Sequence, residues 1–352
     1  MATSGTVGAT TISCAQILDH AFRRCKLIPQ AVTNEHIDTA KRLLWMNLTM
    51  LSNRGITLWA IDTQLIGFTF GQHDIVMPNG GIALLNSNLR NIQRISGSAL
   101  SSAGGSSGNA YDQDLSTLCT QTVPNGYLQI TFDAQPSALT QIGMLPAASG
   151  TWNFQLQWSD GFTWTTISTV KATAVAGQWL WYDVDGVPAA EAMRIQATSG
   201  TTLSVYEVMC GNTPSDIPMS PMARDTWTQL PNKSFLGRPI QYYWDRRINS
   251  PIMHVWPSPD TGYTLTYLMV NYVQRQLQDV GTMSQQIELP DRWVLPVIAD
   301  LARNLGREVK EVDPSILPDL DQEATRLIAA GWDSETSGGP ARFIPNISGY
   351  TA

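Results

Sequence analysis

The chain has 352 residues, room for two to three domains, and its 43% hydrophobic content lets each bury a core of normal size, which excludes disordered and collagen-like classes. A net charge of −7 excludes a protein whose task is gripping nucleic acid, since displacing counterions takes a basic stripe, although a channel that lets DNA slide past is compatible with it. The low charged fraction of 14%, with 12 Trp, 20 Pro and 27 Gly, points to loop-rich surfaces that end up against other protein.

No apolar run approaches the roughly 20 residues of a membrane span, and Met1 to Ile12 lacks the basic and apolar regions of a signal peptide. Use without secretion and without a membrane is therefore the expectation. Cys14, Cys25, Cys119 and Cys210 stand apart, with no CxxC pair and no His at zinc-ligand spacing, and are expected as buried free thiols.

Ser13 caps a predicted helix in which Cys14, Ile17, Leu18, Ala21, Phe22 and Cys25 recur at helical spacing, ending before Pro29. A second helix starts at Thr33 or Asn34, repeats Ile37, Ala40, Leu44, Leu48 and Leu51 on one face, and stops at Arg54 and Gly55. The two make an antiparallel hairpin. Ile56 to Trp59, Gln64 to Phe70 and Ile82 to Leu89 then read as short strands, and Ser98 to Gly108 as a Gly/Ser/Ala linker without order.

From there the pattern turns to period two, with Leu128, Ile130 and Phe132, then Trp152, Phe154, Leu156 and Trp158, and later Met193 and Ile195. Such short alternating runs predict an antiparallel sandwich. Between Ser98 and Thr213 the basic residues are Lys171 and Arg194, against Asp112, Asp114, Asp133, Asp160, Asp183, Asp185, Glu191 and Glu207, a local balance of −6. An acidic module of its own composition, residues 98–212, is thus inserted into a host made of 1–97 and 213–352. The fold class expected is α+β, a helical frame with small β elements interrupted by an antiparallel β-sandwich.

Beyond the insert, Ile252 to Trp256 and Tyr263 to Tyr272 flank a Pro257 to Gly262 turn and predict a hairpin with a longer loop. Trp293, Val297, Leu301 and Leu305 give a third helix, and Asp313-Pro314 opens a fourth through Leu320, Ala324 and Leu327. Residues 334–352 cannot make a core and are expected as an extended C-terminal arm that orders on a neighbour.

Several host segments together resemble the head-to-tail adaptor of short-tailed bacteriophages, of the tail tubular protein A kind. They are Leu48 to Trp59, Gly237-Arg238-Pro239 with Tyr242-Tyr243-Trp244-Asp245-Arg246, Trp256 to Asp260, Ile287 to Pro290, and Ile344 to Tyr350. The resemblance implies a virion structural protein at the head-tail junction, assembled in the host cytoplasm, that forms a ring of twelve copies between the portal and the tail nozzle and extends the DNA channel. Its implied partners are the portal, tail nozzle or fibre proteins, other copies of itself, and double-stranded DNA passing without sequence recognition. The resemblance places Phe343, Ile344, Pro345 and Tyr350 on the portal. Separately, the insert resembles the discoidin-like, galactose-binding β-sandwich, carried by Tyr111 to Asp114 with Thr117, Gly126 to Phe132, Ser159 to Trp164, Met193-Arg194-Ile195 and Leu203 to Met209. The alternative function is accordingly a carbohydrate-binding tail protein that uses this insert.

Asp112 and Asp114 either offer carboxylates to calcium or bond their own turn; that family often has Asp-Gly-Asp here, and this chain has Gln113 between them. No metal and no cofactor is expected. Asp160-Gly161 reads as a hairpin turn, and the insert tryptophans mostly as inward core. Lys233, Arg238, Arg246 and Arg247 form a basic group for the DNA channel or a subunit contact. His20, His36, His73 and His254 pair with no evident nucleophile, and no P-loop, HExxH or GxSxG is present, so no enzyme is expected.

Overall fold

The computed structural model describes residues 12–54, 58–102, 106–133, 139–187, 190–212, 216–247, 250–260, 266–277 and 280–335. Its helices are α1 (Cys14–Arg24), α2 (Asn34–Arg54), α3 (Arg224–Gln229), α4 (Asp291–Glu308) and α5 (Leu317–Glu335). The chain divides into one unit of residues 1–61 and 275–352 and another of residues 62–274.

The first unit is helical and draws on both ends of the sequence. At the start of α1, Ser13 Oγ accepts the Gln16 N–H while the Gln16 side chain accepts the Ser13 N–H at 2.9 Å, a reciprocal cap that satisfies two otherwise orphaned donors. Thr33 caps α2 by accepting the His36 N–H at 3.3 Å. The apolar stripes of α1 (Ile17, Leu18) and α2 (Leu44, Leu48) meet Leu301 and Leu305 of α4 in one core. Each such fully buried side chain is worth about 1.5–3 kcal/mol. Trp293 lies in the same core, its ring centroid 5.7 Å from that of Trp59 and 5.3 Å from that of Trp332. The opening of the last helix differs from its expected form: Asp313 accepts the Ser315 N–H as a cap, but Pro314–Ile316 is a 3-10 turn and α5 begins only at Leu317. Likewise Leu58–Ala60, which overlaps the Ile56 to Trp59 stretch expected as a strand, is 3-10 helix.

The second unit is built of strands. In chain order they are β1 (Ile61–Gly67), β2 (Asp74–Val76), β3 (Gly81–Asn91), β4 (Gln93–Arg94), β5 (Gly97–Ser101), β6 (Cys119–Gln121), β7 (Tyr127–Phe132), β8 (Leu139–Pro146) and β9 (Gly150–Ser159). They continue with β10 (Trp164–Ala174), β11 (Leu180–Val187), β12 (Ala192–Ala197), β13 (Leu203–Asn212), β14 (Asp216–Pro218), β15 (Ser220–Pro221), β16 (Gln241–Asp245), β17 (Ile252–Trp256) and β18 (Tyr267–Arg275).

Two of the sheets form a sandwich, in the orders β10-β9-β12-β7-β5 and β11-β8-β13-β4, with β6 on β13. Its core interleaves Ile130, Phe154 and Ile195 of the first with Ile142, Met144 and Val208 of the second. The sandwich enters and leaves through adjacent strands, since Arg94 and Gln93 of β4 pair with Gly211 and Asn212 of β13. Tyr111 fastens this gate by donating its hydroxyl to the Ile95 carbonyl at 2.6 Å. Both described ends of the Ser98 to Gly108 stretch, expected as an unordered linker, are structured, β5 pairing with β7 along its length and Ser107–Ala110 forming a 3-10 turn, while residues 103–105 lie outside the described residues. Small side chains alternate there with the apolar Leu100, and backbone pairing to β7 satisfies the strand without a core residue at every second position.

The other two sheets, β1-β18-β3-β14 and β15-β16-β17-β2, share a core of Phe68, Met77, Leu89, Met253, Val255 and Met269. This overturns the hairpin expected across Pro257 to Gly262, because β17 pairs with β16 and β2 whereas β18 lies in the other sheet. The physical reason is local: Pro257 and Pro259 lack N–H donors, and Ser258 between them is taken up by the 233–237 segment instead of by a returning strand.

Trp179 and Trp181 also depart from expectation. They stack on each other at 5.1 Å, and Trp181 packs with Ile92, Leu268 and Val270 where the sandwich meets the small sheets. A Cβ on Gly67 would lie 2.6 Å from the Trp179 Cβ, so β1 passes the pair only because residue 67 has none. Arg90 of β3 adds a polar tie, donating to Asp216 at 2.7 and 2.9 Å and to Asp183 of the sandwich at 3.0 Å.

Candidate interaction surface

Three of the segments that carry the adaptor resemblance, Gly237-Arg238-Pro239, Tyr242 to Arg246 and Trp256 to Asp260, are knitted into one surface. Ser258 donates its N–H to the Phe235 carbonyl at 2.8 Å and its hydroxyl to the Lys233 carbonyl at 3.0 Å, while Gly237 N–H returns to the Ser258 carbonyl at 2.9 Å. Trp256 Nε1 donates to the Asn232 carbonyl at 3.1 Å, and its ring lies 6.3 Å from that of Phe235. With its backbone anchored in this way, the 230–240 segment turns Phe235, Leu236 and Ile240 outward, 54%, 45% and 42% exposed. Large apolar side chains exposed side by side on an ordered loop mark a contact surface more readily than a solvated one.

Behind this loop lies a ring stack. The His254 ring on β17 is held between Trp227 of α3, at 4.7 Å, and Tyr243 of β16, at 5.4 Å. Its Nδ1 is 2.6 Å from Asp74 Oδ1 and its Nε2 is 3.9 Å from Asp245 Oδ2. Asp245 in turn accepts from Arg247 Nε at 2.8 Å, and that hydrogen bond holds its carboxyl below the usual aspartate range. Lys233 lies with its Nζ 5.5 Å from the centroid of Trp227, within reach of the Thr228 and Leu230 carbonyls.

Of the four basic residues singled out from sequence, Lys233 is engaged by Trp227 and Arg247 by Asp245, whereas Arg238 and Arg246 are exposed and make no ion pair among the described residues. Phe343, Ile344, Pro345 and Tyr350 lie outside the described residues. Trp227 and the Asp74–His254 pair were not picked out from sequence. His254 sits in a strand one of whose two neighbours, β2, is 180 residues away in the chain, and no spacing rule connects it to Asp74.

The carboxylates near the start of the sandwich serve turns. Asp112 accepts the Asp114 N–H at 2.9 Å and the Thr117 hydroxyl at 2.9 Å, and Asp114 accepts the Ser116 N–H and hydroxyl. Those bonds from Ser116 hold the Asp114 carboxyl below its ordinary range. Among the described residues no three His, Cys, Asp or Glu side chains are grouped to hold a metal ion. Asp160 likewise accepts the Phe162 and Thr163 N–H groups in a turn where Gly161 has φ +93°. Beneath the 111–117 loop, Glu207 is fully buried, one oxygen accepting the Gln113 N–H at 2.6 Å, and burial pushes its carboxyl up to about 8.

No protein-family model matches the chain, and no curated protein matches its sequence. Among solved structures it is similar to the CBM32 of AlyQ in complex with 4,5-unsaturated mannuronic acid, at 20% identity over 34% of this chain and 96% of that one, with a TM-score of 0.30. The family 32 carbohydrate-binding module of NanJ from C. perfringens, in complex with galactose, is 14% identical over 35% and 99% of the two chains, TM-score 0.30. An F5/8 type C domain from Bacteroides fragilis is 14% identical over 35% and 97%, TM-score 0.31.

Proposed function

We propose that the chain is a virion structural protein, a ring-forming adaptor that joins a portal to a tail nozzle at the head-tail junction and extends the DNA channel without reading sequence. The observation that carries this reading is the ordered 230–240 loop, anchored on Trp256 and Ser258, which exposes Phe235, Leu236 and Ile240 together with Arg238. A closed ring needs heterologous contacts, in which one patch of each copy meets a different patch of the next. An ordered apolar loop that carries an exposed arginine has the composition of such a contact. The role is mechanical, with no catalytic step and no cofactor.

In this reading, Phe343, Ile344, Pro345 and Tyr350 engage the portal, and the sandwich hangs from the adaptor through its paired strands β4 and β13. Co-sedimentation with purified portal, comparing the full chain with one truncated after Gly339, tests it. The full chain is expected to sediment with portal and the truncated chain to stay behind. Equal sedimentation of both would remove the arm from the account, and failure of both would remove the adaptor.

A further inference from the structure

The turn between β9 and β10 presents Phe162, which at 94% is the most exposed large apolar side chain among the described residues. The tip is nevertheless well ordered. Asp160 Oδ1 accepts the Phe162 N–H at 3.0 Å and the Thr163 N–H at 2.8 Å, and Gly161 adopts the φ of +93° that closes the turn. The Glu191 carboxylate lies directly against Gly161, where a Cβ would collide with it. Glu191 is fixed by its backbone, donating its N–H to the Ser159 carbonyl at 2.9 Å and accepting the Phe132 N–H at 2.9 Å, and Asp133 follows at the end of β7.

One bare aromatic ring thus projects among three exposed carboxylates, Asp133, Asp160 and Glu191. The segments 131–133, 159–164 and 190–192 contain no Lys or Arg. Arg194, on the adjoining sheet face, is taken up by Gln157 and the Trp164 ring. The bonds from Thr163 and Phe162 hold the Asp160 carboxyl below its ordinary range, so it keeps its charge.

The 230–240 loop is the complement of this turn. From Leu230 to Ile240 it carries Lys233 and Arg238 and no carboxylate, and it exposes Phe235, Leu236 and Ile240. Arg238 makes no ion pair among the described residues. Both patches are exposed in the single chain, and both are anchored by their own hydrogen bonds, so pairing them costs little ordering.

We infer that the 160–163 turn of one copy docks on the 230–240 loop of a second copy, with Phe162 against Phe235 and Leu236 and the carboxylates of the turn facing Arg238. An aromatic anchor inside a charged rim has the make-up of an interface centre, and opposite charge on the two patches fixes which one meets which. Because the patches differ, the contact is heterologous, the kind that closes rings. The inference rests on the adaptor reading in taking a second copy as the occupant, and it supplies the mate of the exposed loop.

The test is site-directed cross-linking of concentrated full-length chains carrying Thr163→Cys or Ser234→Cys, each alone and the two mixed, with a short bismaleimide, with and without purified portal. The four native cysteines are buried and give little background. Thermal unfolding confirms that each variant is folded. The mixture is expected to yield a cross-linked dimer and neither variant alone, while a chain carrying both substitutions yields a ladder. Arg238→Glu on the Ser234→Cys chain should lower the dimer yield about fivefold, and Asp133→Lys with Glu191→Lys on the other chain should recover it. Absence of the mixed dimer in both arms overturns the proposal, as does a dimer from either variant alone or a yield that Arg238→Glu leaves unchanged. A mixed dimer from chains that do not sediment with portal upholds this contact and removes the adaptor. Sedimentation with portal without the mixed dimer does the reverse.

Discussion

Glu207 gives the β-sandwich a pH dependence that can be worked out from its surroundings. The side chain is fully buried, and its oxygens accept the Gln113 N–H at 2.6 Å and the Val208 N–H at 3.2 Å. Burial raises its pKa from 4.5 to about 8, a rise that these N–H groups and the nearby Arg94 only partly offset and that Asp112 increases. In the unfolded chain the carboxyl ionises near its ordinary value, so between the two values unfolding releases a proton. The contribution of this group is fully present below pH 4.5 and is lost as pH rises towards 8. Each pH unit in that window costs about 1.4 kcal/mol, and a change from pH 5 to pH 7.5 about 3 kcal/mol. Glu207→Gln abolishes the titration. Its amide must present an N–H to one of the two backbone donors, so absolute stability shifts and only the slope is diagnostic. Urea unfolding of the full chain, followed by tryptophan fluorescence at pH 5, 6 and 7.5, should show wild type losing about 3 kcal/mol relative to Glu207→Gln across the series. Parallel pH profiles for the two proteins would refute the argument.

Gly67→Ala should destabilise the second unit by about 1–3 kcal/mol, measured as a drop in the urea midpoint, since the new methyl meets the Trp179 Cβ at 2.6 Å and cannot be relieved by a side-chain tip. A double substitution, Phe235→Asp with Leu236→Asp, places charge on exposed positions and should leave the melting temperature nearly unchanged while abolishing self-assembly in sedimentation velocity. All four cysteines are free and buried, and burial raises the Cys25 thiol to about 11, so a thiol reagent should titrate none of them in the native chain and all four after denaturation.

Features set by near neighbours were legible in the sequence. The cap of α1 depends on Ser13 and Gln16, three residues apart, and the helical repeat of Ile17, Leu18 and Ala21 defines its buried face without reference to the rest of the chain. The sandwich strands were visible for the same reason, as period-two alternation reports which side of a strand is buried. What could not be read depended on distant partners. Ile252 to Trp256 and Tyr267 to Arg275 are each good strands, but their assignment to different sheets follows from the Pro257 to Pro259 loop bonding to the 233–237 segment. Alternation placed Trp179 and Trp181 on one face and assigned that face to the sandwich core, whereas it meets the glycine-bearing strand β1. Glu207 was counted only as a charge because its burial comes from a register shift between Val205 and Glu207 and from the loop laid over it. The basic group chosen from sequence divides similarly: Trp227 is six residues from Lys233, yet no spacing rule marks their contact, whereas Asp245, two residues before Arg247, gave a local sign of its ion pair.

The adaptor reading is tested most directly by native mass spectrometry of the full chain, alone and after mixing with purified portal. The account predicts a closed assembly of about twelve copies on the portal, a number that comes from the resemblance to short-tailed phage adaptors, with loss of that assembly in the Phe235→Asp, Leu236→Asp chain. A chain that keeps one mass with and without portal would contradict it.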